Sequence, residues 1–259
     1  MKQIEVSEYL NKVVRLPIVR IDRSEFLKKE LIKYCDNQTI ELAIDNNPAY
    51  AWIDKSIIDS IAKNSIKYET RRVSVLSFGL GIPSSIPGLT ATMAATIPAD
   101  ISQYFIATLR ITQKLAYLYG FQEFEIKENS IDDETMNELI IFMGAMYGVQ
   151  QANTALKAIA ENAAAQFAKD LSKKALTKTF YYPIVKSISQ KLGYNMTKEI
   201  FSKSVSKGIA VVGGVISGGL SYATFKPCCY RLKNILSGFP LCDPEYYSDS
   251  SSNGSGLPL

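Results

Sequence analysis

The sequence predicts an all-α protein: a single compact multi-helix bundle with a central glycine-rich helix and a disordered C-terminal tail. Apolar residues recur at three- and four-residue spacing along most of the 259 residues. Helix start and stop residues bracket these stretches. No run of alternating apolar and polar residues rich in β-branched side chains occurs, so we expect no strand.

The start and stop signals define the elements in order. Asp22 followed by Glu25 is a capping-box-like start for the first helix. A later helix is predicted to begin with Pro98 as its first residue and to stop at Gly120. The next is predicted to have Ser130 as its cap and to break or bend near Gly144 or Gly148. The predicted helices cover Thr39–Asp45, Trp52–Tyr68, Pro98–Tyr119, Ile131–Lys174, a stretch ending at Leu192, a stretch after Thr197, and Ala210–Phe225.

These elements predict three regions along the chain. Residues 1–20 form an N-terminal extension, 21–242 the helical domain, and 243–259 a tail rich in Ser, Asn and Gly that buries too little surface to order itself. The N-terminus lacks the continuous apolar stretch of a signal peptide, which favours a cytoplasmic location.

The composition excludes several kinds of chemistry. The chain has no histidine, which removes Ser-His-Asp and Cys-His nucleophiles and imidazole ligation of zinc or haem. The four cysteines, Cys35, Cys228, Cys229 and Cys242, form no C-x-x-C pair, so we expect reduced thiols that pack in the core. We expect no catalytic residues, no cofactor and no metal.

Charge is concentrated in one segment of the chain. Residues 169–207 contain nine Lys and two acids, a net charge of +7 in a chain of net charge +4. This pattern is typical of a solvated bundle face or of a surface for anionic lipid. Nucleic acid is disfavoured, because arginine is the usual donor to base edges. The candidate residues are Lys169, Lys173, Lys174, Lys178, Lys186, Lys203 and Lys207.

The glycine-rich segment follows directly. Gly213, Gly214, Gly218 and Gly219 lie in overlapping small-residue stripes, and four interior glycines cost a helix about 4 kcal/mol relative to alanine. Close packing against neighbouring helices on more than one face would offset this cost. The uncharged span 208–225 is about 27 Å long as a helix, just short of a bilayer core of about 30 Å. A tightly packed central helix and a helix that can enter a membrane both remain open.

A polar arc on the helix after Pro98 is the candidate ligand site. Asp100, Gln103, Arg110 and Lys114 fall within about 80° when projected along that helix. They predict either a buried cluster that faces a cavity or a polar stripe in water. The preceding turn carries Ser84 and Ser85, whose backbone amides could face a phosphate.

The sequence resembles the EcsC family of bacterial proteins over about residues 21–236. The resemblance rests on an ordered set of motifs: G-I-P-S-S-I-P-G (Gly81–Gly88), T-I-P-A-D-I-S-Q-Y (Thr96–Tyr104), L-R-I-T-Q-K-L-A-Y-L-Y-G (Leu109–Gly120), F-M-G-A-M-Y-G-V-Q (Phe142–Gln150), A-L-T-K (Ala175–Lys178), Y-P-I-V-K (Tyr182–Lys186), T-K-E-I-F (Thr197–Phe201) and V-V-G-G-V-I-S-G-G (Val211–Gly219). Ser84 and Ser85 replace the family's usual glycines in the turn. The family is named for a component encoded with an ABC transporter operon, so the resemblance implies a bacterial protein that works near a membrane. It supplies no catalytic residues.

Three functions follow as hypotheses. The first is a non-catalytic protein that associates peripherally, at the inner face of the membrane, with anionic lipid or a membrane protein complex such as a transporter. The second is a small-ligand or lipid-binding protein, or an enzyme, with a polar cavity near Asp100, Gln103 and Arg110. The third is a partner-binding module that uses the tail or the acidic connection Glu123–Glu138. The oligomeric state stays open.

Overall fold

The chain is all-α in the part that the structure describes. A computed structural model describes residues 10, 13–14, 16–78, 99–126, 131–168, 185–192 and 215–252. Outside the helices, the one bridge within these ranges pairs Ile126 with Ile131, and no strand occurs. The helices are α1 Arg23–Leu31, α2 Asn37–Asp45, α3 Lys55–Phe78, α4 Ala99–Leu118, α5 Asp133–Met146, α6 Gln150–Ala168, α7 185–192, α8 Val215–Leu236 and α9 Pro244–Ser252, with a 3₁₀ turn at Pro240–Cys242.

Aspartate side chains begin three of these helices. The carboxylate of Asp22 accepts a hydrogen bond from the Glu25 amide at 2.8 Å, which confirms the predicted start of α1. The predicted start of α5 was wrong, because its cap is Asp132, which accepts from the Thr135 amide at 2.7 Å. Ile131 pairs with Ile126 instead of joining the helix, and Ser130 lies outside the described residues.

The predicted break in the long helix falls at Gly148. Its φ of +76° is left-handed, and the Val149 amide donates to the Gly144 carbonyl at 2.8 Å, which ends α5. Gly144 stays helical and serves close packing, since a Cβ there would lie 2.6 Å from a methyl carbon of Ile188.

Helix α3 is longer than its predicted range. It begins three residues later, because Trp52 has a left-handed φ of +56° in a hydrogen-bonded loop. It continues ten residues beyond Tyr68 to Phe78, since no proline interrupts the uncharged stretch before position 83.

Helix α8 does not stop before Pro227, and that prediction was wrong. The helix runs through the proline, at a cost of about 3 kcal/mol, to Leu236. The buried residues Cys228, Cys229 and Leu232 follow the proline, so the apolar area they bury offsets the lost hydrogen bond. Helix α8 packs against α3, α4 and α5. Gly213 and Gly214 lie outside the described residues, so the close packing of the glycine stripe stays a prediction.

The C-terminal segment is ordered where a disordered tail was expected. Pro244–Ser252 form α9, and Tyr247 is buried. Its hydroxyl donates to the Leu241 carbonyl at 3.0 Å and accepts from Asn47 at 3.1 Å. The composition of this segment is polar, but the ring of Tyr247 supplies the buried apolar area that orders the helix. Residues 253–259 lie outside the described part.

The segment before Ile21 contributes to the core where the structure describes it. Its apolar side chains Leu10, Val13, Val14, Leu16 and Val19 are buried. The buried amide of Gln113 on α4 holds this segment, because it accepts from the Ile21 amide at 3.0 Å and donates to the Val19 carbonyl at 2.9 Å. The boundary predicted between 20 and 21 therefore divides one packed unit.

Arg23 joins the first two helices to the end of α4. The side chain is 4% exposed and donates to four carbonyls. Three of them, at Ala43, Ile44 and Asn46, are the open carbonyls at the end of α2, where a cation also complements the helix dipole. The fourth belongs to Phe121.

Replacing this side chain tests that junction. Arg23→Lys should lower the free energy of unfolding by about 3 kcal/mol, since a lysine cannot reach four carbonyls and leaves buried acceptors without donors. Urea denaturation measures the change. Arg20→Gln, at an exposed position, should change it by less than about 0.5 kcal/mol. Equal stabilities of the two variants would contradict this role of Arg23.

Candidate functional site

The predicted polar arc brings two cations to a buried carboxylate. Arg110 and Lys114 lie one turn apart on α4 and face α3. There, Glu69 is fully buried, and its Oε1 accepts from Arg110 Nε at 3.2 Å and from Lys114 Nζ at 2.6 Å. We call these three residues the Glu69 cluster.

The surroundings of the cluster combine aromatic rings with backbone carbonyls. The Lys114 ammonium lies 5.0 Å from the ring centre of Tyr68 and 5.9 Å from that of Phe26. Arg110 also donates to the Ile18 carbonyl, so the cluster links α3, α4 and the N-terminal segment. Burial lowers the pKa of Lys114, and the charge of Glu69 offsets only part of that effect.

One oxygen of the cluster has no partner. Glu69 Oε2 is buried and makes no hydrogen bond within the described residues. The charge of Glu69 also acts on the buried Cys229 of α8, where burial, the neighbouring Cys228 and Glu69 together raise the pKa of the thiol. This thiol is inert in that state, since the thiolate is the reactive form.

The structure decides between a buried cluster and a solvated stripe for two of the four residues of the predicted arc. Lys114 is 8% exposed and Arg110 is half-buried, so a solvated stripe is wrong for these two residues. The side chains of Asp100 and Gln103 lie outside the described part, as do Ser84 and Ser85 entirely.

Sequence reasoning missed Glu69, although a signal was present. Ile66 and Val73 lie three and four positions away on α3 and are buried, so the periodicity of the helix places Glu69 on the same inner face. A lone acid on a buried face needs a cationic partner. Its presence therefore predicts such a partner on the adjacent helix.

A second polar cluster connects α3 to α8. Asp59 accepts from the Tyr119 hydroxyl at 2.6 Å and from Lys233 Nζ at 3.0 Å. Partial burial raises the pKa of Asp59, but these two hydrogen bonds and the lysine charge outweigh it, and the pKa lies below its ordinary value. The carboxylate is thus held ionised as a structural partner.

The lysine-rich segment is described only over α7. Lys186 and Lys191 are exposed there, while Val185, Ile188 and Leu192 face the core. Lys191 donates to the neutral amide oxygen of Gln151 at 2.9 Å, so its charge is not neutralised by that contact. The other candidates, Lys169, Lys173, Lys174, Lys178, Lys203 and Lys207, lie outside the described residues.

The acidic connection contains one strongly shifted carboxyl group. Burial, with the charges of Glu134, Asp132 and Glu125, raises the pKa of Glu138 to about 7. This side chain therefore titrates near neutral pH.

All four cysteines are free thiols, and Cys228, Cys229 and Cys242 are buried, as packing residues should be. Within the described ranges, no group of three or more acidic or cysteine side chains is arranged to hold a metal ion. In the same ranges, no helix combines the length and hydropathy that a bilayer crossing requires.

Comparison with known proteins gave no relative: no family model, no curated protein and no solved structure matches this chain.

Removing the charge of Glu69 should destabilise the fold. Glu69→Gln leaves two cations near one another without a buried counter-charge, and we expect a loss of about 3 kcal/mol in the free energy of unfolding. Adding Lys114→Met to this variant should restore part of the loss. Urea denaturation measures both variants, with exposed Glu161→Gln as the control. A double variant less stable than Glu69→Gln alone would contradict the ion-pair assignment.

The raised pKa of Glu138 gives a pH-dependent stability. The native state binds a proton more tightly than the unfolded chain, whose carboxyl has the ordinary pKa of 4.5, so stability falls as the pH rises from 4.5 to about 7 and is then constant. Glu138→Gln should remove this decline and be more stable than the unmodified chain at pH well above 7, by about 3 kcal/mol. Thermal or urea unfolding of both proteins across this range measures the difference. A difference that does not change with pH would contradict the assignment.

Proposed function

We propose that this chain is a non-catalytic, EcsC-like protein that associates peripherally with an anionic membrane or with a complex in it. The observation that carries the proposal is the net charge of +7 over residues 169–207, directly before the uncharged glycine-rich span 208–225. Each lysine near an anionic bilayer contributes about 1 kcal/mol to binding.

The described part of the lysine-rich segment is consistent with this use. Lys186 and Lys191 extend from α7 to the solvent, whereas the opposite side of α7 packs on Gly144 of α5. Neither lysine makes an ion pair with a carboxylate in the described part of the chain. A membrane could therefore meet these charges without the helix leaving the bundle.

The resemblance to the EcsC family supports the same proposal, since it implies a bacterial protein that works near a membrane. The proposal places the protein on the cytoplasmic face, where anionic lipid is available.

One observation favours a second function, a small-ligand or lipid-binding site at the Glu69 cluster. Its unpartnered Oε2 is a buried acceptor that a hydroxyl or ammonium group of a ligand would satisfy. Such a ligand should stabilise the protein against heat in the absence of vesicles, and it should lose this effect in Glu69→Gln. Membrane docking through lysines predicts neither the heat stabilisation without vesicles nor its loss in Glu69→Gln.

Vesicle binding tests the principal proposal. We expect the protein to co-sediment with vesicles that contain phosphatidylglycerol and not with vesicles of phosphatidylcholine alone, because the attraction is electrostatic. The bound fraction should fall as salt is added, since salt screens exposed charges. Equal recovery in both pellets at low salt would overturn the proposal.

A further inference from the structure

Helix α3 has an outward face that is cationic and carries an exposed aromatic ring. Lys63, Asn64, Lys67, Tyr68 and Arg71 are exposed on it, and the Tyr68 side chain is 59% exposed. We call these five residues the α3 basic face. The inward face of the same helix is buried against α4 and α8.

The acids of α3 do not neutralise this face. The helix has five basic and two acidic residues. Glu69 points inward to Arg110 and Lys114, and Asp59 is bonded to Tyr119 and Lys233. Lys63 is close enough to Asp59 to help lower its pKa, but it makes no ion pair with it.

The three cations form a line along the helix. Lys63, Lys67 and Arg71 are spaced four residues apart, so they follow one another at about 6 Å along the axis. None of them makes an ion pair within the described ranges. Tyr68 adjoins this line, with an apolar ring and a polar hydroxyl that suit the boundary between headgroups and acyl chains.

We propose that the α3 basic face docks on an anionic phospholipid membrane with the α3 axis parallel to the bilayer surface. The inference rests on the proposed peripheral function and adds a second docking surface, formed by a part of the chain separate from the lysine-rich segment. Charge complementarity selects the occupant, and the single aromatic ring fits a lipid interface better than the row of stacking rings that single-stranded nucleic acid requires.

A charge-neutral variant tests the assignment. Lys63→Gln, Lys67→Gln and Arg71→Gln combined preserve helix propensity at exposed positions, so the fold is retained. Binding to vesicles of phosphatidylcholine with phosphatidylglycerol should weaken about 100-fold, since each basic residue contributes about five-fold. Tyr68→Ser should weaken the part of the binding that persists at high salt.

The matched control is Lys28→Gln, Lys29→Gln and Lys33→Gln combined, which makes the same change in net charge at exposed positions in and just after α1. We expect this control to bind within about three-fold of the unmodified chain, a change that nonspecific attraction accounts for. If both triple variants lose binding equally, or if the α3 variant binds as tightly as the unmodified chain, the assigned face is wrong while the peripheral function stands.

A different result would contradict the peripheral function itself. If the unmodified chain binds neither kind of vesicle, that function and the α3 assignment both fail. Binding to duplex DNA in place of vesicles, lost in the α3 variant, would overturn the choice of a membrane as the occupant of this face.

Discussion

Buried polar groups must find partners, and this constraint determines how the elements around α4 are joined. Helix α4 is buried along most of its length, yet it carries Gln113 and Lys114 in that environment. Each of them reaches a different element: Gln113 holds the backbone before α1, and Lys114 meets Glu69 on α3. Arg23 has a similar role at the start of α1, where one guanidinium donates to carbonyls from α2 and from the chain after α4. The apolar core supplies the free energy of folding, while these few bonds fix which elements are neighbours.

The sequence predicted the helical class and several helix ends, because those depend on local chemistry. Asp22 as a cap, the stop at Gly120 and the break at Gly148 each follow from what one residue does to its own backbone. The errors concern long-range contacts. Pro227 stays within α8 because the following turns bury apolar side chains. Tyr247 orders α9 because Asn47, distant in sequence, donates a hydrogen bond to its buried hydroxyl. No local pattern contains that information.

In the candidate site, too, the features that depend on local spacing were predicted and those that depend on long-range contacts were not. The spacing of Arg110 and Lys114 placed them on one face of α4, and the structure brings them together. Their partner Glu69 lies about forty residues earlier, and only its position on an apolar helix face indicated that it was buried. The α3 basic face is the outward counterpart of this burial. Because both acids of α3 are bonded at the sides that meet other helices, the exposed side keeps its positive charge.

The bond between Asn47 and Tyr247 spans 200 positions in the sequence. Asn47 also orders the loop that holds Trp52, since its side chain accepts from the Tyr50 amide. During synthesis, that loop must wait for almost the entire described chain to emerge before its last contact can form. The Asn47–Tyr247 bond therefore forms only after α9 has been synthesised, so a contact of the N-terminal loop depends on one of the last described helices of the chain.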